Sequence, residues 1–307
     1  MAVCPNCGKR MPEGVKFCTA CGAQTEADVK REQQLQVIDR AVAEDGSIVE
    51  VLQYRRLKGS SDIRTAANLF YATQGGMHLK MVRIRLRDSH VRIEPGALYF
   101  MKGNLAMKAS TGGGLMKGLA RKMTSGESFF VNEIHGSGDI YLEPTFGHFF
   151  LHRVGAREGG VIVDKGLFYA GTAGLDITAV RQKNVSSALF GGEGFFQTRI
   201  VGAGVAVLYS PVPQDEIIRY QLEGDKLSVD GNFALMRSEG IAFRAERSSK
   251  GLVSTAVSGE GLLQTFSGHG YVWIAPTQGV YEKLARPMGL QQLSGPPGSR
   301  GTTTTTS

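Results

Sequence analysis

The stretch Gly259-Glu260-Gly261-Leu262-Leu263-Gln264-Thr265-Phe266-Ser267-Gly268-His269-Gly270-Tyr271-Val272-Trp273-Ile274-Ala275-Pro276 decides how this chain is read, because its plan occurs three times. A second copy runs from Gly192-Glu193 through Gly202-Ala203-Gly204 to Pro211, and a first from Gly126-Glu127 through Gly136-Ser137-Gly138 to Pro144. Each has Gly-Glu, an apolar run, Gly-x-Gly, a second apolar run and then Pro, and the Gly-x-Gly positions lie 66 residues apart both times. A fixed period of this size marks one supersecondary unit used repeatedly. The runs are short and rich in Phe, Ile, Val, Leu and Tyr, which favours strands over helices. Glycines between two such runs permit a tight reversal, so each phrase is predicted to be a β-hairpin, with the Pro marking a strand end.

A turn glycine followed by a short strand also recurs, at Pro95-Gly96-Ala97-Leu98-Tyr99-Phe100, Lys165-Gly166-Leu167-Phe168-Tyr169-Ala170 and Asp230-Gly231-Asn232-Phe233-Ala234-Leu235. The expected fold is therefore all-β. Three internally repeated antiparallel β-sandwich-like units span residues 46–285 in a pseudo-threefold arrangement, since one hairpin cannot bury enough surface to stand alone. The repeated Glu127, Glu193 and Glu260 read as turn or strand-edge carboxylates, because a catalytic acid need not appear in every copy.

Residues 1–25 are a separate piece. Cys4-Pro5-Asn6-Cys7-Gly8 and Cys18-Thr19-Ala20-Cys21-Gly22 are two CxxCG knuckles separated by ten residues, and they hold all four cysteines of the chain. Four thiolates at this spacing surround one Zn²⁺ tetrahedrally, with rubredoxin-like iron the competing occupant, and a closed Cys4 site is structural. So small a module folds on its metal. It resembles the short bacterial zinc ribbons with Cys-Pro-x-Cys-Gly and Phe-Cys-x-x-Cys-Gly, including Pro12-Glu13-Gly14 and Phe17. Residues 26–45 read as a linker, with Val29–Ala43 either a short amphipathic helix or a tether, and residues 286–307 as a disordered tail rich in Gly, Pro and Thr. Leu69-Phe70-Tyr71-Ala72 reads as a strand.

The 307-residue chain carries a formal charge of +7, which suits nucleic acid, anionic lipid or acidic protein without choosing among them. No apolar run is long enough to span a bilayer as a helix, and no signal-peptide pattern opens the chain. With every cysteine in the ribbon, a cytoplasmic setting is expected, with a peripheral place at the membrane compatible with it. Candidate anion or partner contacts fall in two places. Val82, Ile84 and Leu86 alternate with Arg83, Arg85 and Arg87, so period two places the arginines on one outer face. Lys102, Lys108, Lys117, Arg121 and Lys122 lie in an acid-free window around a glycine-rich segment, Gly112–Met123, which has no GxxxxGK[ST] signature. His135, His148 and His152 offer a conceivable second metal site, without a carboxylate at convincing spacing.

The pattern over roughly residues 80–284, carried by Pro95-Gly96, Ser125-Gly126-Glu127-Ser128-Phe129-Phe130 and the second-unit Gly-Ala-Gly, resembles the altered inheritance of mitochondria protein 24 family. That resemblance implies a fold like the tryptophan RNA-binding attenuator protein, with β-sandwich units in internal pseudo-symmetry, and it supplies no catalytic residues. Mitochondrial members are associated with inner-membrane organisation, whereas the attached ribbon looks bacterial. The reading expected from all this is a non-enzymatic scaffold or adaptor that binds a protein partner or an anionic membrane surface, with self-association also open. Nucleic-acid binding through the ribbon and the arginine face, or an enzyme with an unrecognised site, are the alternatives.

Overall fold

The computed structural model describes residues 2–4, 7–12, 15, 17–22, 34–109, 131–155, 159–182, 195–230, 233–247 and 262–285. Glu127, Glu193, Glu260, Lys117, Arg121, Lys122, the Gly112–Met123 segment and the 286–307 tail lie outside them. Strands dominate what is described, as expected. Strands β1 (Ala2–Val3) and β2 (Arg10–Met11) pair within the ribbon. The body begins earlier than position 46, with β3 (Leu35–Val42) antiparallel to β4 (Ile48–Tyr54). Residues 35–42 are therefore neither helix nor tether. Val37, Ile38 and Val42 are β-branched, and the edge of β4, with Val49 and Val51 fully buried, offers them backbone partners that a lone helix lacks. The turn between the two strands is held by Asp45, whose carboxylate accepts from the Ser47 amide (3.1 Å) and hydroxyl (2.7 Å).

Three strand triplets follow. The first is β5 (Lys80–Ile93), β6 (Leu98–Ala109) and β7 (Asn132–Leu142). The second is interrupted: β8 (His148–Val154) and β9 (Val161–Val163), β10 (Phe168–Thr172) and β11 (Leu175–Gln182), then β12 (Phe195–Gly202) and β13 (Gly204–Ser210). The third is β14 (Ile218–Asp230), β15 (Ala234–Ser238) with β16 (Ala242–Arg247), and β17 (Leu262–Ile274). In each, the last strand is central and pairs with both others. One register shift recurs in every triplet, between Leu98 and Phe100, Phe168 and Ala170, and Ala234 and Met236. The middle triplet bridges the two large sheets: β8, β10 and β13 belong to the eight-stranded one, and β9, β11 and β12 to the seven-stranded one.

The Gly-x-Gly of the phrase is not a hairpin turn. Gly136-Ser137-Gly138 and Gly268-His269-Gly270 lie inside the single strands β7 and β17, and Ala203 marks the point where the chain passes from β12 in one sheet to β13 in the other. At Gly136 and Gly202 the glycine serves close approach. A Cβ on Gly136 would sit 2.1 Å from the Asn104 carbonyl oxygen, and one on Gly202 2.2 Å from that of Gly174. Both have φ in the left-handed region, at 124° and 108°. Two backbones cross there at a bend that no side chain could occupy.

The triplets join by one kind of contact. β5 pairs with β10, and β9 pairs with β15, so first-type strands meet second-type strands of the next triplet. Among the described residues no such pairing runs from the third triplet back to the first. The recurrence is therefore one of pairing, and the pseudo-threefold arrangement is not established by it. Burial joins the triplets: one apolar cluster centres on Val82, Ile84, Ile134 and Ile140 and takes in Ala170 and Val207 of the second triplet, a second centres on Phe150, Phe168, Ile200 and Leu208 and takes in Leu235 and Met236 of the third, and another holds Phe243, Phe266 and Val272.

Among the described residues two α-helices accompany the strands, α1 (Ile63–Gln74) between β4 and β5 and α2 (Gln278–Leu284) after β17. The first covers Leu69–Ala72, read from sequence as strand. Its start is fixed locally: Asp62 caps it by accepting from the Thr65 amide at 2.9 Å, and Ala66-Ala67 favour helix. Neither helix is long and apolar enough to cross a membrane, and no other helix among the described residues is.

Candidate functional site

The ribbon brings its four cysteines together. Their sulfurs all lie within 4.8 Å of one another, with Cys4 to Cys21 and Cys7 to Cys18 each at 3.6 Å. A tetrahedron with Zn–S of about 2.3 Å has sulfur–sulfur edges of about 3.8 Å, so the cradle fits zinc. Each knuckle is closed by a backbone bond, from the Gly8 amide to the Cys4 carbonyl (2.9 Å) and from the Gly22 amide to the Cys18 carbonyl (2.8 Å). Gly8 and Gly22 adopt φ of 71° and 70°, the left-handed conformation that such a closure needs. The Ala20 amide points at Cys18 Sγ (3.4 Å), and amide donation from Ala20 and Cys21 holds that thiol below its ordinary range. The donor set is all sulfur and complete, so one structural zinc ion is what this centre holds. Cys4, Met11 and Cys18 are buried around it, while Val3 and Phe17 are more than half exposed.

The arginine face is a different surface from the one expected. Arg83 is mostly buried and grips Glu50, with Nε at 2.8 Å and Nη2 at 2.7 Å. Arg85 reaches Glu50 (3.6 Å) and Asp139 (3.3 Å), and Arg40 approaches Glu50 from β3 (3.8 Å). Arg87 is exposed, where the β5–β7 register shifts between Leu86 and Ser89 and the alternation breaks. Two of the three arginines are therefore engaged by carboxylates. Glu50 was legible in the sequence as a lone acid inside Ile48–Leu52, but nothing local said that it would meet Arg83. Lys102 and Lys108 stand exposed on β6, opposite Asp139 and Glu133 of β7.

The three histidines are not gathered. His135 pairs with Glu133 and stacks on His90 with ring centroids 5.1 Å apart. His152 places Nε2 at 3.4 Å from the Tyr271 hydroxyl, and Arg219 lies over the Tyr271 ring at 4.3 Å. Burial first, and then the Arg219 charge, push His152 down to about 4, so it is neutral near pH 7. Burial likewise lowers His148. Among the described residues, the four cysteines form the one group of three or more metal-type side chains close enough to share an ion.

A surface that sequence reasoning missed lies on α1. No residue of this helix is buried, and Ile63, Phe70 and Tyr71 are 90%, 58% and 71% exposed. Beside it, Arg56, Leu57, Lys58, Leu69 and Phe70 line an open groove of about 640 Å³. Arg55, Arg56, Lys58 and Arg64 are all exposed, with Asp62 the single acid of residues 55–74. The available signal was the cap, Ser60-Ser61-Asp62 before an alanine-bearing run.

A family model described as mitochondrial biogenesis AIM24 matches residues 71–277, and one described as a zinc-ribbon domain matches residues 3–25. An uncharacterized protein of Streptococcus pyogenes serotype M6 is 27% identical over 209 residues, spanning 64% of this chain and 82% of its own length. An X-ray crystal structure of a Streptococcus pyogenes protein is similar with a TM-score of 0.52 at 24% identity, over 70% of this chain and 91% of that one. This last likeness shows a common fold. Strands β3 and β4 and most of α1 precede the region matched by the first family model.

Proposed function

Because this chain belongs to the mitochondrial biogenesis AIM24 family and carries a zinc ribbon ahead of it, we propose that it is a non-enzymatic scaffold or adaptor. Its β body seats on an anionic membrane surface or a protein partner, and the ribbon is a second docking module. The observation that carries this reading is the exposed face of α1, where Ile63, Phe70 and Tyr71 stand among Arg55, Arg56, Lys58 and Arg64. Aromatic side chains enter the headgroup boundary while flanking cations meet anionic lipid, the combination that holds an amphipathic helix at an interface. The membrane is the favoured surface, since large exposed apolar groups beside bases match an acidic apolar boundary better than bulk water.

Co-sedimentation of the full chain with vesicles tests this. Pelleting is expected with phosphatidylglycerol-containing vesicles and not with phosphatidylcholine alone, and it should weaken with salt. A Phe70→Ser, Tyr71→Ser variant should stay in the supernatant without loss of fold, because neither side chain is buried. Equal pelleting of that variant would remove α1 from the role. Failure of the unaltered chain to pellet with anionic vesicles would leave only the protein-partner form.

A further inference from the structure

The geometry points to head-to-tail self-association, in which β6 of one copy pairs antiparallel with β14 of the next. The reason lies in a contact that the chain already makes twice. β10 pairs with β5 through Ala170 to Ile93, Gly171 to Arg92 and Thr172 to Val91. β15 pairs with β9 through Met236 to Val163, Arg237 to Ile162 and Ser238 to Val161. Each is a second-type strand, just past its recurring register shift, lying on a first-type strand of the preceding triplet. β6 is the remaining second-type strand and β14 the remaining first-type strand. Among the described residues β6 pairs only with β7, and β14 only with β17.

Burial marks the two vacant edges. Ala170 and Met236, the positions after the shift in β10 and β15, are 0% and 3% exposed, whereas Phe100 in β6 is 46% exposed. Arg237 is 3% exposed, and its counterpart Met101 is 38% exposed. Tyr99 and Met107 extend the exposed apolar edge. On the other side, Ile162 is buried while its counterpart in β14, Ser228, is exposed. An exposed apolar edge of this length is a template for a further strand. The occupant that fits it is the strand type that its two equivalents already hold.

The register is specified. Ile93, Val163 and Val229 pair with Asn132, Thr198 and Gln264, which are spaced 66 residues apart along the chain. Phe100 of one copy therefore opposes Val229 of the next, Met101 opposes Ser228, and Lys102 opposes Leu227. Two different patches meet, so the contact is heterologous, and it propagates until a ring closes or a filament forms. This inference goes beyond the docking role of α1 and does not use that helix.

Met101→Cys and Ser228→Cys, both at exposed positions, test it in the full, zinc-loaded chain. Directly opposed residues of antiparallel strands have Cα atoms about 4.5–5.5 Å apart, within the reach of a disulfide. Mixing the two single variants under mild oxidation should give a covalent dimer that neither variant, nor the unaltered chain, gives alone. Sedimentation velocity of the unaltered chain should show mass rising with concentration. A mixture that yields no dimer overturns the proposal, as does a mass that stays monomeric throughout. A double variant that cross-links within one chain would also overturn it, by showing that the two edges meet internally. No vesicle is present in these measurements, so their failure leaves the α1 reading standing, and the reverse holds too.

Discussion

Replacing Glu50 by Ala should be among the most damaging single changes in the body. The carboxylate is 5% exposed and bonds the Arg83 guanidinium twice, and that guanidinium is itself 14% exposed. Truncation leaves a buried cation without its counter-charge, a defect that costs about 3–5 kcal/mol. Arg85 and Arg40 lose the same partner, but they are 41% and 55% exposed, so each adds less than about 1 kcal/mol. For a body of this size each kcal/mol lowers Tm by about 2–4 °C, which places the expected loss at about 6–20 °C. Differential scanning fluorimetry and urea titration measure it. A second variant separates charge from volume: Glu50→Leu with Arg83→Met removes both ions and should stand within about 1 kcal/mol of the unaltered chain, since an apolar pair can replace a buried ion pair nearly without loss. If Glu50→Ala costs no more than the ~0.5 kcal/mol of an ordinary surface change, the ion cluster does not organise β3, β4 and β5 and the reasoning fails.

The buried His152 makes stability depend on pH. Its pKa falls from 6.5 to about 4 on folding, so between those values the unfolded chain binds the proton that the folded chain refuses. Stability is full above pH 6.5 and is lost as pH falls towards 4, by about 3 kcal/mol at most from this group. His90 and His148 are shifted in the same direction, so the readout is the flattening of the urea-midpoint profile in His152→Gln relative to the unaltered chain. An unchanged slope would count against it. For the ribbon, atomic absorption should find one zinc per chain and none in Cys18→Ser. Chelation should abolish amide protection in β1 and β2 while the Tm of the body stays unchanged, because among the described residues β1 pairs only with β2.

Much of the site was legible from local chemistry. Two CxxCG knuckles specify four thiolates around one ion with no help from the rest of the chain, and the sulfurs meet as the spacing requires. Strand content and the recurrence at 66 residues were equally plain. The arginine ladder shows where legibility stopped. Period two correctly placed Arg83 and Arg85 on a common face, yet whether that face is free depended on Glu50, which reaches Arg83 across a β4–β5 pairing that no window of sequence contains. The segment around Phe70 was misread because its apolar residues were weighed without the Asp62 cap, and residues 35–42 because their partner strand was not considered.

By itself the sequence determined that this is a strand-built body behind a thiolate-held ribbon. Composition, alternation and knuckle spacing act within a few residues of each other, so they survive being read in one dimension. Only the tertiary structure decided what Gly-x-Gly is for. The same flexible tripeptide frame serves a reversal or a close crossing, and the choice rests on which backbone lies beside it: the carbonyl of Asn104 at Gly136, and that of Gly174 at Gly202. It also decided which edges are covered, because pairing between triplets is a contest among distant strands, and among the described residues β6 and β14 are the two left without a partner of the kind their equivalents have.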